Sequence, residues 1–318
     1  MESASPNVWW AMGADVRGIT AVVVTHMRPH LAGDLVLSLL DDEGLAPDQI
    51  VVVVNEAGGL EPPELEQAVR MRRLEHNLGP AGGFRAGMLE AFADPTCVWA
   101  YLCEDDVGLF DLPVPRLAEL RRRVEELGPV QPPVGAVVAY GRRFTGRSGH
   151  APNFVPPAGV DFAPVDVAAW GATLLSRTVF EAGVLPDPEW FFGYEDFDFF
   201  CRVREAGLAV VVDGRSARQI EAQQTSIGRD RAVGGRRPTD TDEPWRAYYL
   251  SRNFFALARR HGHRSWLAWH LLYSLRRMQL ARGGAHSRAT VRGLVDGALG
   301  RLGERPGYSR SVGETPER

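Results

Sequence analysis

Residues 98–106 read Val98-Trp-Ala-Tyr-Leu-Cys103-Glu104-Asp105-Asp106, six apolar or aromatic positions that stop on three acids. A run this short and this apolar predicts a strand buried on both faces, with its last residues delivered to a polar mouth. Three carboxylates at one mouth repel each other unless a cation joins them. Hard divalent ions take oxygen ligands and share them with phosphates, so the trio predicts a metal-diphosphate site. A solvated turn with helix-capping acids is the plainer alternative, and the buried strand in front of the trio weighs against it.

Two similar runs lie upstream. Ile19-Thr-Ala-Val-Val-Val24 leads into Thr25-His-Met-Arg28-Pro29, and Ile50 to Val54 ends at Asn55. Between them Leu31, Leu35 and Leu39 recur at helical spacing, which makes a strand-helix-strand unit. An α/β chain with a parallel sheet places its crevice at the carboxyl ends of such strands. Glu61 to Arg72 reads as a polar, Pro-containing helical region. Asn77-Leu-Gly79-Pro-Ala-Gly82-Gly83-Phe-Arg85 sets three glycines near a helix start, where backbone N–H groups can approach a phosphate with Arg85 as counter-charge. It is not a Walker A sequence, and the chain contains no lysine to complete one. Further strands are expected at Gly135 to Tyr140 and within Val165 to Leu175, and a short helix from Ser176. Residues 213–243 read as a loop, with Asp242 as N-cap of a helix running to His261. A second helix is expected from Ser265 to Arg282, and the last 18 or so residues are expected to be disordered.

Glu195-Asp196 follow the aromatic stretch Trp190-Phe-Phe-Gly-Tyr194 and open a helix that Gly207 ends. Apolar surroundings raise a carboxylate's proton affinity, which suits a general base acting on an alcohol. Acids in a first turn also compensate the helix dipole without any chemistry. Combined with the first acidic cluster, a base for an acceptor hydroxyl and a metal site for a leaving diphosphate are the two parts that an inverting sugar transfer requires.

On these residues the chain resembles the inverting family 2 glycosyltransferases of GT-A fold, from about Ile19 to His261. Val22-Val-Val-Thr25-His-Met-Arg28 is similar to the family's opening strand and nucleotide loop, and Glu104-Asp105-Asp106 to its DxD-type motif. Trp170-Gly171-Ala-Thr-Leu-Leu-Ser-Arg177 is similar to the acceptor segment, and Tyr194-Glu195-Asp196-Phe-Asp198 to the ED motif. Asn77 to Phe84 resembles the rhamnosyl- and galactofuranosyltransferase branch. The resemblance implies Asp196 as base, Trp170, Gly171 and Glu195 at the acceptor, and Glu104 and Asp106 on Mn2+ or Mg2+. It implies Thr25, Arg28, Asn55, Gly82, Gly83, Arg85 and Asp105 around a UDP- or dTDP-linked sugar. The family often supplies a metal-binding histidine after the strand that follows the ED helix; here Gln219 and Glu221 stand in that stretch. The expected acceptor is a bacterial cell-wall glycan, a lipid-linked precursor or a secondary metabolite.

The implied architecture is a Rossmann-like, mainly parallel sheet with helices on both faces, plus a helical extension. Its boundaries are expected at 1–16 for a lead, 17–243 for the GT-A domain, 244–300 for the extension and 301–318 for a loose tail. A nucleotidyltransferase and a non-catalytic nucleotide- or glycan-binding protein are the alternatives; the first usually carries more basic residues in its opening loop than Arg28 alone.

Composition narrows the rest. With 45% hydrophobic and 24% charged residues the 318-residue chain is globular, which excludes disordered and collagen-like classes. Its net charge of -4 divides unevenly: 22 arginines face 36 acids before Pro244, and 14 face four after it. The basic end predicts contact with an anionic membrane surface; nucleic acid is not expected, because no binding motif accompanies the arginines. Three cysteines without CxxC spacing and an N-terminus without a basic leader predict a cytoplasmic protein, peripheral on the membrane's inner face.

Overall fold

The computed structural model describes residues 16–106, 116–231, 243–280 and 284–308. The first strand, β1 (Ile19–Thr25), is buried along its whole length, and so is β2 (Ile50–Asn55). Alternate side chains point to opposite faces of a strand, so both feed two cores. Val22, Val24, Val51 and Val53 enter one layer, while Ala21, Val23, Val52 and Val54 enter the other. This is why neither strand shows polar alternation. Helix α1 (Pro29–Asp41) buries Ala32, Leu35, Val36 and Leu39 on the second layer, at the spacing its leucines predicted.

The other elements are α2 (Leu65–Ala68), β3 (Arg70–Leu74), α3 (Gly79–Phe92), β4 (Trp99–Glu104), α4 (Arg116–Glu125), β5 (Val134–Val138), β6 (Gly141–Arg142), β7 (Phe162–Pro164), β8 (Val167–Ala168), β9 (Thr173–Ser176), α5 (Arg177–Glu181), α6 (Glu195–Glu205), β10 (Ala209–Asp213), α7 (Gly214–Arg231), α8 (Pro244–Arg260), α9 (Arg264–Leu280) and α10 (Gly284–Ala298). The main sheet runs β3-β2-β1-β4-β9-β5-β10-β7, and β6 pairs separately with β8. Strands β3, β2, β1 and β4 are mutually parallel, as are β5 and β10. Strand β9 is antiparallel to both β4 and β5, joining the two parallel groups. The sheet is therefore mainly parallel with helices on both faces, the GT-A arrangement.

Three expectations are corrected. The Glu61 to Arg72 region is only briefly helical and supplies the edge strand β3, whose Arg72 and Arg73 are exposed. An edge strand needs no apolar alternation on its solvent side. Residues 214–231, read as loop, form α7; its buried Ala217 and Ile220 are the faint apolar signal. Residues 301–308 are not a loose tail: Tyr308 stacks on Tyr248 with ring centroids 4.2 Å apart, and the Arg305 N–H donates to the Tyr249 hydroxyl over 2.9 Å. Asp242, residues 1–15 of the 1–16 lead and residues 309–318 lie outside the described residues.

Of the C-terminal helices, α8 packs against α6, α9 brings Trp266 onto Phe144 with ring centroids 4.4 Å apart, and α10 packs on α8. Arg252, 1% exposed on α8, donates from Nη2 to the Trp190 carbonyl (2.9 Å) and from Nη1 to that of Gly303 (2.5 Å). Its neighbour Asn253 donates from Nδ2 to the carbonyls of Trp190, Phe192 and Gly193, each 2.8 Å away. The loop leading into α6 is thus held by α8. All three cysteines are buried and free.

Candidate active site

Strands β1, β2 and β4 end side by side, and their last residues meet. The Thr25 hydroxyl donates to Asp105 Oδ2 (2.7 Å), while Arg28 pairs with Asp105 (2.6 Å) and Asp106 (2.9 Å). Asp105 is buried, so these partners are what hold a carboxylate there; burial lifts its pKa and Arg28 opposes the rise. Asn55 closes the neighbouring corner. It accepts from the Leu78 N–H (2.9 Å) and donates to the Gly79 carbonyl (3.0 Å), while its own carbonyl accepts from His26 Nδ1 (2.7 Å). Thr25, Arg28, Asn55 and Asp105 therefore share one corner of the crevice.

The two acidic clusters converge. Glu104 is pushed up to about 7, first by burial and then by the charges of Asp106, Asp196 and Asp105. Asp196, in the first turn of α6, is pushed up to about 6 by burial, against which the Phe197 N–H (2.8 Å from Oδ1) and Arg142 act. Glu195 is also raised, by burial, by Asp196 and by Glu104, and its Oε2 is buried without a hydrogen-bond partner. Residues separated by ninety positions in sequence thus act on each other across the mouth. Asp198, two residues on, is different: Arg202 (2.9 Å), Arg260 (3.0 Å) and His261 (3.2 Å) surround it. It ties α6 to the end of α8.

The folded protein holds the Glu104 proton more tightly than the unfolded chain, whose ordinary value is 4.5. Its contribution to stability is therefore complete below about pH 4.5 and is lost as pH rises towards 7. Glu104→Gln is expected to be more stable than the native protein at pH 8, by on the order of 1–3 kcal/mol, with little difference at pH 4.5. Thermal midpoints of both proteins across that range measure it; parallel curves would contradict the convergence.

All five non-glycine residues with left-handed backbone among the described residues adjoin this mouth or the loop before α6: Met27 (φ 58°), Glu56 (85°), Ala172 (54°), Phe191 (60°) and Tyr194 (66°). Each such conformation costs about 1–3 kcal/mol, and they gather where a site must be shaped.

Other expected site residues have different duties. Trp170 is 3% exposed, stacked on Phe84 (4.7 Å between centroids) and against Phe199 (5.1 Å), so its ring offers no face to a sugar. It lines the bed on which Glu195 is placed. Gly171 is half-buried in the turn beside it. Gly83 lets α3 approach β1 closely, since a Cβ there would lie 2.5 Å from a Val24 methyl, while a Cβ on Gly82 would lie 2.2 Å from Leu78 Cβ at the start of the same helix. Arg85 reaches the Pro186 carbonyl (3.2 Å). The residue that sequence reasoning missed is Arg142. It sits on a two-residue strand without a motif around it, its charge acts on Asp196, and its guanidinium lies over Tyr140 and Phe197.

Among the described residues no group of three or more His, Cys, Asp or Glu side chains is arranged to hold a metal ion. Glu104 and Asp106 fit a different mode, in which two carboxylates share an ion with substrate phosphates and water.

A mainly parallel sheet with an acidic strand end and an acidic helix start facing it is the GT-A arrangement of nucleotide-diphospho-sugar transferases. The chain is 31% identical over 207 residues to galactofuranosyltransferase GlfT1 of Mycobacterium tuberculosis, in both strain CDC 1551 / Oshkosh and strain ATCC 25618 / H37Rv. That match takes in 60% of this chain and 66% of the relative's length. No family model matches the chain. Among solved structures it is similar to GalNAc-T7 with UDP, GalNAc and Mn2+ (13% identity, TM-score 0.46, 63% of this chain and 43% of that one). It is also similar to the mannosyltransferase PcManGT of Pyrobaculum calidifontis in complex with GDP-Man and Mn2+ (14% identity, TM-score 0.40, 90% and 87%).

Proposed function

We propose that the chain transfers a glycosyl group, galactofuranose- or rhamnose-like, from a nucleotide diphosphate to an acceptor hydroxyl with inversion. The observation that carries this reading is the meeting of Asp196 with the acidic end of β4. Asp196 takes the hydroxyl proton as the acceptor oxygen bonds to the anomeric carbon. The bond from that carbon to the diphosphate oxygen breaks, and the diphosphate leaves with the electron pair on the opposite face. Arg28, held between Asp105 and Asp106, stands at the corner where a nucleotide would lie. Glu104 and Asp106 would hold Mn2+ or Mg2+, which when bound stabilises charge on the leaving group. Glu195 shapes the charge around Asp196 from its buried position.

UDP with Mn2+ is expected to raise the thermal midpoint, and chelator to reverse most of the rise. A ligand at 100 times its Kd stabilises by about 2.7 kcal/mol. Full stabilisation and full transfer in excess chelator would remove the ion from the reading, with Arg28 left as the cation facing the diphosphate.

No helix among the described residues is long and apolar enough to cross a membrane. Peripheral contact at the cytoplasmic face fits α9, where Leu272 (59%), Tyr273 (56%) and Leu275 (54%) are exposed close to Arg276.

A further inference from the structure

Residues 301–308 take no part in the proposed chemistry, yet they are fastened along their length. The Arg301 N–H donates to the Asp296 carbonyl near the end of α10 (2.8 Å), and the Arg305 N–H to the Tyr249 hydroxyl on α8 (2.9 Å). The guanidinium groups of both arginines approach the fully buried Asp296 carboxylate, at 3.5 and 3.9 Å. Tyr308 lies flat on Tyr248, the ring planes 4° apart. Gly303 makes a tie that leads elsewhere: its N–H donates to the Glu189 carbonyl, and its carbonyl accepts from Arg252 Nη1, both over 2.5 Å.

Glu189 opens the segment that runs into α6 and carries Asp196. Three of its next five residues have left-handed backbone: Phe191 (φ 60°), Gly193 (80°) and Tyr194 (66°). A non-glycine residue keeps that conformation only where its surroundings impose it. Arg252 and Asn253 supply part of that restraint from α8, and residues 301–308 add to it. Arg252 serves both, since one guanidinium reaches the carbonyls of Trp190 and Gly303. Tyr308 and Phe191 also share a small apolar cluster with Tyr248, Tyr249 and Ala289.

We propose that residues 301–308 are a positioning strap. They fix the segment at 189–194 so that the first turn of α6 presents Asp196 to the acceptor hydroxyl, and turnover depends on them although they act only through that segment. This rests on the glycosyl-transfer reading and adds to it a required element at the far end of the described chain. A displacement of about 1 Å in a reacting group costs up to roughly 10²-fold in rate, so a distant restraint is felt in turnover.

The test uses full-length variants, assayed well below their unfolding temperatures. Tyr308→Ala removes the stacked ring and is expected to lower kcat by roughly tenfold or more, with UDP affinity within about twofold of native. Tyr308→Phe keeps the ring and is expected to turn over at the native rate. Amide exchange in Tyr308→Ala is expected to quicken by about tenfold or more across 190–198 and to stay unchanged in β1 and β4. In an Asp196→Asn background Tyr308→Ala is expected to cost less than about twofold, because no base remains to be placed. Tyr249→Phe, which loses only the hydroxyl that accepts from Arg305, is expected to act in the same direction, and it carries the test should Tyr308→Ala not fold. Native kcat in Tyr308→Ala beside a large loss in Asp196→Asn would overturn the strap and leave glycosyl transfer standing. Unchanged exchange at 190–198, or a loss as large in the Asp196→Asn background as in the native one, would also overturn it. Quickened exchange at 190–198 in a chain that transfers no sugar would support the strap's grip on the segment and refute the transfer reading instead.

Discussion

Asp196→Asn is expected to lower turnover by roughly 10²–10⁴-fold while leaving nucleotide binding unchanged, the range that general-base catalysis contributes. The substitution keeps the size of the side chain and an oxygen for the Phe197 N–H, so the first turn of α6 survives. What it removes is the proton acceptor. Burial raises the Asp196 pKa to about 6, so the base is ionised only above that pH. The native rate should therefore climb as pH rises through about 6 and then level, and the variant should lack that limb. Turnover within a few-fold of native, or an unchanged pH profile, would take Asp196 out of the mechanism. Steady-state transfer between pH 5 and 8, alongside UDP titration, measures both.

The largest loss of stability is expected from Gly79→Ala. Gly79 has φ +69°, and a Cβ placed on it would lie 1.8 Å from the carbonyl oxygen of Phe191. The left-handed backbone alone costs a non-glycine residue roughly 1–2 kcal/mol. The contact costs more, because the obstacle is backbone held by α8 and cannot swing aside. A total loss on the order of 3 kcal/mol or more is expected. Gly128→Ala is the control: its φ is +64° but nothing lies within 4 Å of the added carbon, so only the backbone cost applies. Chemical denaturation of the two variants gives the comparison, and equal losses would show that the Phe191 contact carries no weight.

What could be read from sequence follows from which surfaces are buried. Strands β1, β2 and β4 are largely buried on both faces, so apart from Thr20 every residue before their ends is apolar or aromatic and the runs were unmistakable. Their terminal residues Thr25, Asn55 and Glu104 to Asp106 were legible for the same reason, since a polar residue after such a run can only lie at the mouth. Strand β3 was not legible, because an edge strand reading Arg70-Met-Arg-Arg-Leu74 carries no periodic apolar signal. Trp170 was misjudged for a related reason, since its ring packs between Phe84 and Phe199. Residue type does not distinguish a ring or a bare backbone that meets ligand from one that meets protein. Arg142 had no local signal at all: its importance comes from tertiary placement beside Asp196.

The hold of Arg252 and Asn253 on the loop at 190–193 changes what the charge boundary before Pro244 means. The acidic and basic portions differ in electrostatics but are one mechanical unit. Four backbone carbonyl contacts in front of the ED turn depend on donors from α8, and Asp198 behind it depends on Arg260 and His261. Cutting the chain at that boundary would strip hydrogen bonds from the segment that aims Asp196 and leave Asp198 with Arg202 alone among its cationic partners. The C-terminal helices therefore cannot be exchanged between relatives as a detachable cassette. A well-folded chimera has to carry residues 190–198 together with α8, so change in the C-terminal helices is tied to the segment that places Asp196.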